Sequence, residues 1–205
     1  GSASVPAAGD WGSILINNSA NTLDYALIQY GGGSTVGAGS IHVTNNVSPT
    51  IANNIIRYNV YGIDVSSGSP SISNNTFADN TPRHLLQSPS ATPSYSGNTF
   101  SGLGGGAIAI SGLTVTGDIS WVNVQGLNWP YLIPSDLTVN SGATLRLPAG
   151  TVVKFQSSNV DLYVNGTLDL QGTASSRVVF TSYRDDSYGG DTNGAGTSSA
   201  PAAGN

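Results

Sequence analysis

Ser48-Pro49-Thr50-Ile51-Ala52-Asn53-Asn54-Ile55-Ile56 decides the reading of this chain, because it returns 21 residues later as Ser69-Pro70-Ser71-Ile72-Ser73-Asn74-Asn75-Thr76-Phe77. A third copy, Pro93-Ser94-Tyr95-Ser96-Gly97-Asn98-Thr99-Phe100, follows after another 23 residues. Leu23-Asp24-Tyr25-Ala26-Leu27-Ile28 precedes the first copy by 28 residues, with Ala26 in the asparagine's place. Short alternating strands follow the copies: Ile41-His42-Val43, Ile63-Asp64-Val65 and Ala107-Ile108-Ala109-Ile110. Alternation with a period of two sends Ile63 and Val65 to one side and Asp64 to the other. Strands this short bury no face alone. Stacked at each repeat, they pair backbone with backbone and pool their inward side chains into one core. The expectation is a β-solenoid.

The asparagines sharpen it. Asn54, Asn75 and Asn98 fall at one place in successive coils, and Asn59 and Asn80 at another. Asparagine tolerates the left-handed backbone of a sharp corner, and its amide can bond the identical amide one coil away. A polar binding row is the functional alternative to this structural reading. The second half keeps a similar period in a different style. Leu137-Thr138-Val139, Ala143 to Leu147 and Val152 to Phe155 are matched by Leu162-Tyr163-Val164, Thr167 to Leu170 and Val178 to Phe180. Counting the recurrent blocks gives about seven coils.

The composition agrees. The formal net charge is −5, only 8% of residues are charged and glutamate is absent, which argues against nucleic-acid binding and against long amphipathic helices. The chain has no cysteine, so disulfides and thiolate metal sites are excluded, and it has no methionine. No apolar run approaches a membrane span, and no insertion into a membrane is expected. Gly1-Ser2 reads as a cleavage scar. Val5-Pro6-Ala7-Ala8-Gly9-Asp10 is echoed by Ala200-Pro201-Ala202-Ala203-Gly204-Asn205, so a longer tandem period is expected. The expected organisation is a scar and inter-unit linker over 1–10, a parallel β-helix over 11–180, and a Gly/Ser/Asp/Asn-rich loop over 181–205 leading to a next unit. Ends of this kind expose strand edges, so end-to-end self-association is also expected.

The P-x-I-x-x-N-x-[IF] coils, with Gly-Thr-Leu blocks around them, resemble the right-handed parallel β-helix repeats of the pectin-lyase-like superfamily. They are similar to versions found in secreted bacterial surface proteins and in β-helical carbohydrate-binding modules. The resemblance covers most of residues 11 to 180. It implies an all-β, right-handed parallel β-helix that is extracellular or at a bacterial cell surface. It leaves the function open, since this architecture hosts lyases, hydrolases, adhesins and passive stalks.

Two places carry candidate chemistry. Aligning the coils puts Tyr30 over Tyr58 and then Asp79, with Gln29, Arg57 and Ala78 in the adjacent column and Tyr61 close in sequence. Tyrosine faces beside Gln, Arg and Asp supply the stacking and hydrogen bonding that sugar rings require, although tyrosines at a corner can also simply cover the core. Asp191-Thr192-Asn193-Gly194 resembles an oxygen-rich calcium loop, which Asp185 and Asp186 could complete; Ala195 stands where a third ligand belongs. A catalytic reading gains little. The aspartates are scattered, Asp24 aligns with Ala52, Ser73 and Ser94, and His42 and His84 lie singly in coil surfaces without partners. Trp121, Trp129 and Tyr131 form a second aromatic group, expected as a buried joint. The only outward Thr-x-Thr pair is Thr114-Val115-Thr116, too few for an ice-binding face.

The reading that follows is a non-catalytic extracellular module binding a polysaccharide, with no cofactor unless calcium. A structural stalk or adhesin repeat is the alternative, and a polysaccharide lyase or glycoside hydrolase the third.

Overall fold

The computed structural model describes residues 5–33, 39–196 and 200–201. The Gly1-Ser2 scar and the Ala202 to Asn205 part of the terminal echo lie outside the described residues. The chain is an all-β parallel β-solenoid of about seven coils. It divides into two units, Gly1–Leu86 with Pro93–Gly105, and Gln87–Thr92 with Gly106–Asn205.

The first twelve strands are β1 (Ile14–Ile16), β2 (Thr22–Asp24), β3 (Leu27–Gln29), β4 (Ile41–Val43), β5 (Thr50–Ala52), β6 (Ile55–Arg57), β7 (Ile63–Val65), β8 (Ser71–Ser73), β9 (Thr76–Ala78), β10 (Leu85–Gln87), β11 (Ser94–Ser96) and β12 (Thr99–Ser101). They stack into three sheets, ordered β1-β4-β7-β10, β2-β5-β8-β11 and β3-β6-β9-β12. The second unit repeats the plan with β13 (Ile108–Ile110), β14 (Thr114–Val115), β15 (Asp118–Ser120), β16 (Tyr131–Ile133), β17 (Leu137–Val139), β18 (Thr144–Pro148), β19 (Val152–Phe155), β20 (Leu162–Val164), β21 (Thr167–Gln171) and β22 (Val179–Ser182). Its sheets run β13-β16-β19-β22, β14-β17-β20 and β15-β18-β21.

Register follows the sequence repeat. Leu23, Ile51, Ile72 and Tyr95 are consecutive partners in one file, and Ile28, Ile56, Phe77 and Phe100 in the next. Ile51, Ile56, Ile72 and Phe77 have no exposed surface, because each central residue of a three-residue strand points inward and is covered by coils on both sides. The register corrects one alignment: Ser73 pairs with Ser96, whereas Ser94 pairs with Ser71.

Two-residue corners join the sheets. The left-handed residue is the one before each ladder asparagine, Asn53, Asn74 and Gly97 with φ of 56°, 54° and 63°, and in the first coil Tyr25, before Ala26, with φ of 53°. Asn54, Asn75 and Asn98 therefore do not serve the corner through their own backbone, as the sequence reading assumed. They point inward and are buried. Asn54 Nδ2 donates to Asn75 Oδ1 at 2.9 Å, and Asn75 Nδ2 to Asn98 Oδ1 at 3.1 Å. The same oxygens accept the backbone N–H of Asn54 and Asn75 at 2.9 and 3.0 Å. Each amide also donates to a backbone carbonyl: Asn54 to Leu23, Asn75 to Ile51 and Asn98 to Ile72. A second ladder, Asn59 to Asn80, is built the same way.

His84, expected at the surface, is 1% exposed. Its ring lies against Phe77 and Phe100, with centroids 6.0 and 5.7 Å away, and Nδ1 meets Asn80 Nδ2 at 3.1 Å. Burial pulls its pKa down to about 4. In the second unit Trp121 is 1% exposed, stacks on Tyr131 at 4.5 Å and donates through Nε1 to the Pro89 carbonyl at 2.9 Å. Tyr131 donates to the Val122 carbonyl at 2.6 Å, and burial raises its pKa. The loop expected from 181 begins after Ser182, where β22 ends.

Three outcomes test this account. Asn75→Ala strips acceptors and donors from both adjacent coils, and in chemical denaturation it is expected to cost about 3 kcal/mol. Asn74→Gly supplies the same left-handed corner and should change stability by less than about 1 kcal/mol. His84 has a folded pKa below its unfolded value of 6.5, so its contribution is complete above pH 6.5 and is lost as pH falls from 6.5 towards 4. Unfolding curves of His84→Gln are expected to be less sensitive to pH across that window than those of the parent chain.

Candidate functional site

The second corner of each coil in the first unit follows the sheet β3-β6-β9-β12. Its left-handed residues are Tyr30, Tyr58, Asp79 and Gly102, with φ of 64°, 56°, 51° and 66°. Gly and Asp suit that conformation; a bulky ring there carries a strain of about 1–3 kcal/mol. Two successive coils nevertheless keep tyrosine. Their rings stack with centroids 5.9 Å apart and planes within 12°. Tyr58 remains 40% exposed.

The flanking column is also ordered. Gln29 pairs with Arg57 in register, and Arg57 Nε donates to Gln29 Oε1 at 3.1 Å. The guanidinium carbon lies 5.3 Å from the centre of the Tyr58 ring, a cation–π contact. On the next coil Asp79 Oδ1 accepts the Leu103 N–H at 2.9 Å. Tyr30, Tyr58 and Asp79 line an open groove whose other wall is Pro6, Ala7 and Ala8. That wall is seated by close backbone approach. Gly9 N–H donates to the Tyr30 carbonyl at 3.1 Å, Trp11 Nε1 donates to the Gln29 carbonyl at 2.8 Å, and a Cβ on Gly31 would sit 2.5 Å from the Trp11 ring.

The structure thus brings Tyr30, Tyr58 and Asp79 to one groove, with Gln29 and Arg57 beside it. Tyr61 is not among the described residues that line it. Tyr61 is half-buried, which raises its pKa, and its electrostatic neighbours are Arg83 and Asp64. The stacked tyrosines turn much of their faces to one another, so the groove presents ring edges, hydroxyls and a carboxylate more than a flat platform, with the Arg57 guanidinium beside it.

Three of the four side chains proposed for calcium, Asp191, Asn193 and Asp185, are engaged separately. Asp191 Oδ1 accepts the Gly194 N–H at 2.7 Å, its Oδ2 accepts the Gly196 N–H at 2.8 Å, and Asn193 Oδ1 accepts the Ala195 N–H at 2.9 Å. Those backbone donors hold the Asp191 carboxyl below its ordinary pKa. Asp185 accepts from the Ser187 hydroxyl, from Thr181 Oγ1 at 2.6 Å and from the Ser187 N–H at 3.0 Å, and its pKa is lowered first by the Ser187 hydroxyl, then by the other bonds and by the charge of Lys154. Asp186 keeps one buried oxygen without a hydrogen-bond partner. Lys154 is fully buried under this segment and donates to the Gly190 carbonyl at 2.8 Å and to Thr192 Oγ1 at 3.1 Å. Among the described residues no three His, Asp or Glu side chains converge to hold a metal ion.

Sequence reasoning missed the partners of His42. Its Nε2 lies 2.7 Å from Ser66 Oγ and 3.9 Å from Asp64 Oδ2, and the His42 and Asp64 side chains are both 5% exposed. The pair is legible in hindsight, since His42 and Asp64 occupy the same outward position on β4 and β7. The arrangement is not that of a catalytic triad. Asp64 approaches the nitrogen that already faces the serine, while Nδ1, the atom a triad carboxylate would hold, has no partner.

Comparisons with curated proteins and with solved structures give no significant match. Residues 10–125 match the family model described as a right handed beta helix region. More than half of the chain is covered, and the chain belongs to that family.

Proposed function

We propose that the chain is a non-catalytic extracellular module that binds a polysaccharide at the Tyr30–Tyr58–Asp79 corner. The observation that carries this reading is the strained, half-exposed tyrosine pair. Aspartate or glycine makes the same corner at less cost, and the chain uses both at the equivalent positions of the next two coils, Asp79 and Gly102. The groove fits a neutral or weakly charged glycan. Ring edges and the Tyr58 face contact the apolar side of a sugar, while the tyrosine hydroxyls, Arg57 and Asp79 exchange hydrogen bonds with its hydroxyls. Its polar arms are fixed before any ligand arrives, which lowers the entropy cost of binding. The unpartnered Nδ1 of His42 and the dispersed carboxylates favour a non-catalytic reading. A structural stalk is the second reading, favoured by the continuous asparagine ladders, and it assigns the tyrosines no ligand.

One substitution separates the two. Tyr58→Asn retains a residue at home in the left-handed corner, so thermal unfolding should shift by no more than about 1 kcal/mol of stability. Binding to a panel of soluble polysaccharides, followed by affinity electrophoresis, should fall by about tenfold or more. Loss of stability without any glycan affinity in the parent chain would favour the stalk.

We infer that the described part of the loop after Ser182, held by its own backbone donors and by Lys154, folds without calcium. Thermal unfolding measured with excess calcium and with excess chelator should coincide; a higher melting temperature in calcium would contradict this.

A further inference from the structure

In the second unit a groove of about 380 Å³ crosses the turns that lead from the sheet β15-β18-β21 into the sheet β13-β16-β19-β22. Asn128 comes from the turn before β16, Gly150 from the turn before β19, and Ser176 and Arg177 from the turn before β22; Tyr188, on the segment after β22, completes the lining. Each part is held in place. Thr173 and Ser176 exchange backbone hydrogen bonds of 2.9 and 3.3 Å, which fixes the turn that carries Arg177. Gly150 is left-handed, with φ of 82°, and a Cβ there would come within 3.0 Å of Ser176 Oγ. Asn128 Oδ1 accepts from Asn123 Nδ2 at 2.7 Å, which orients the amide and leaves Nδ2 to donate. Tyr188 is positioned by its neighbours: the ammonium of Lys154 holds Gly190 and Thr192, and a Cβ on Gly189 would lie 2.7 Å from Pro130. Burying a lysine is costly even when it is hydrogen-bonded, and what this one fixes is the segment that brings Tyr188 to the groove.

The chemistry of the groove is one-sided. The chain has eleven acidic and six basic residues, yet no carboxylate lines this groove. Among the described residues the Arg177 guanidinium and the hydroxyls of Ser176 and Tyr188 have no hydrogen-bond or ion-pair partner. Unspent donors with no acid to neutralise them select for negative charge. We propose that this groove binds a saccharide carrying a carboxylate or sulfate group. The fork of Arg177 takes the oxyanion in charge-assisted hydrogen bonds, while Asn128 Nδ2 and Ser176 Oγ donate to the sugar's oxygens. The Tyr188 ring, 47% exposed, covers the apolar side of the sugar. A neutral sugar leaves the guanidinium without a counter-charge, and a bare inorganic anion leaves Tyr188 unused. The site extends the polysaccharide reading to charged sugars and does not depend on the Tyr30–Tyr58 groove, which belongs to the other unit.

An NMR titration of the full chain at low ionic strength, followed at the Arg177 Nε–H and the Tyr188 ring, tests this with glucuronate, glucose sulfate, glucose and inorganic sulfate as probes. Saturable shifts at both groups are expected with glucuronate or with glucose sulfate, the tighter of the two naming the oxyanion, and affinity for glucose and for inorganic sulfate should be lower by about tenfold or more. Arg177→Gln should lose the preference for the charged sugars over glucose, and Tyr188→Ala should bring their affinity down to that of inorganic sulfate; both replace exposed side chains, so the β circular dichroism should not change. Tyr58→Asn should leave these shifts as they are, so failure at this groove and failure at the tyrosine corner are read separately. The absence of saturable shifts at Arg177 with either charged sugar overturns the proposal, as does inorganic sulfate binding as tightly as the sugars, or an Arg177→Gln chain that keeps its preference.

Discussion

The first unit depends on one buried interaction, the asparagine amide that bridges two coils at once. Oδ1 of Asn75 takes both the backbone N–H and the side-chain amide of Asn54, while its own Nδ2 reaches the Ile51 carbonyl and Asn98. A corner leaves backbone groups that no sheet can pair, and burying them unpaired would cost about 1–3 kcal/mol each. The ladder satisfies them inside the core. It also fixes register, because a coil that slipped by one residue would send asparagine outward and its apolar neighbours with it. Alternate apolar side chains supply most of the stabilisation; the amides decide which alignment they adopt.

Fixed register is what makes the tyrosine corner a site. Tyr30 and Tyr58 lie far apart in sequence and meet only because the coils repeat with one circumference. The same rule sets Arg57 beside Gln29 and puts Asp79 on the following coil. The left-handed conformation then turns the rings outward at the edge of the sheet instead of into the file of Ile56 and Phe77. Strain at these two corners is tolerated because the ladder residue Asn59 and the paired strands on both sides hold the backbone in place.

Much of this was legible in the residues. The spacing of Ser48 to Ile56 and its copies yields the coil period, and from it the file of Ile51, Ile72 and Tyr95 and the column of Tyr30, Tyr58 and Asp79. What the sequence concealed came from side-chain reach and from covering segments. His42 and Asp64 share a column, but period-two alternation alone does not say that their outward face is covered. His84 falls where a helical or strand pattern gives no burial signal, and only the fold packs it against the stacked pair of Phe77 and Phe100. Lys154 reads as a solvated charge until the chain folds back over it at Gly190 and Thr192. The corner asparagines were assigned the right partners and the wrong backbone role, since two adjacent asparagines, Asn53-Asn54 and Asn74-Asn75, divide the tasks of turning and bridging. Tyr61, only three residues beyond Tyr58, belongs to another set of neighbours because a corner separates them.

The central claim is that the stacked tyrosines face a glycan and do not merely roof the core. The most direct measurement is a titration of the chain with a soluble polysaccharide, followed through the ring resonances of Tyr30 and Tyr58 by NMR. The account predicts saturable shifts at these two rings and at the Arg57 side chain, with Tyr131 and Phe77 unmoved. Saturable shifts centred elsewhere, with Tyr30 and Tyr58 unchanged, would contradict it.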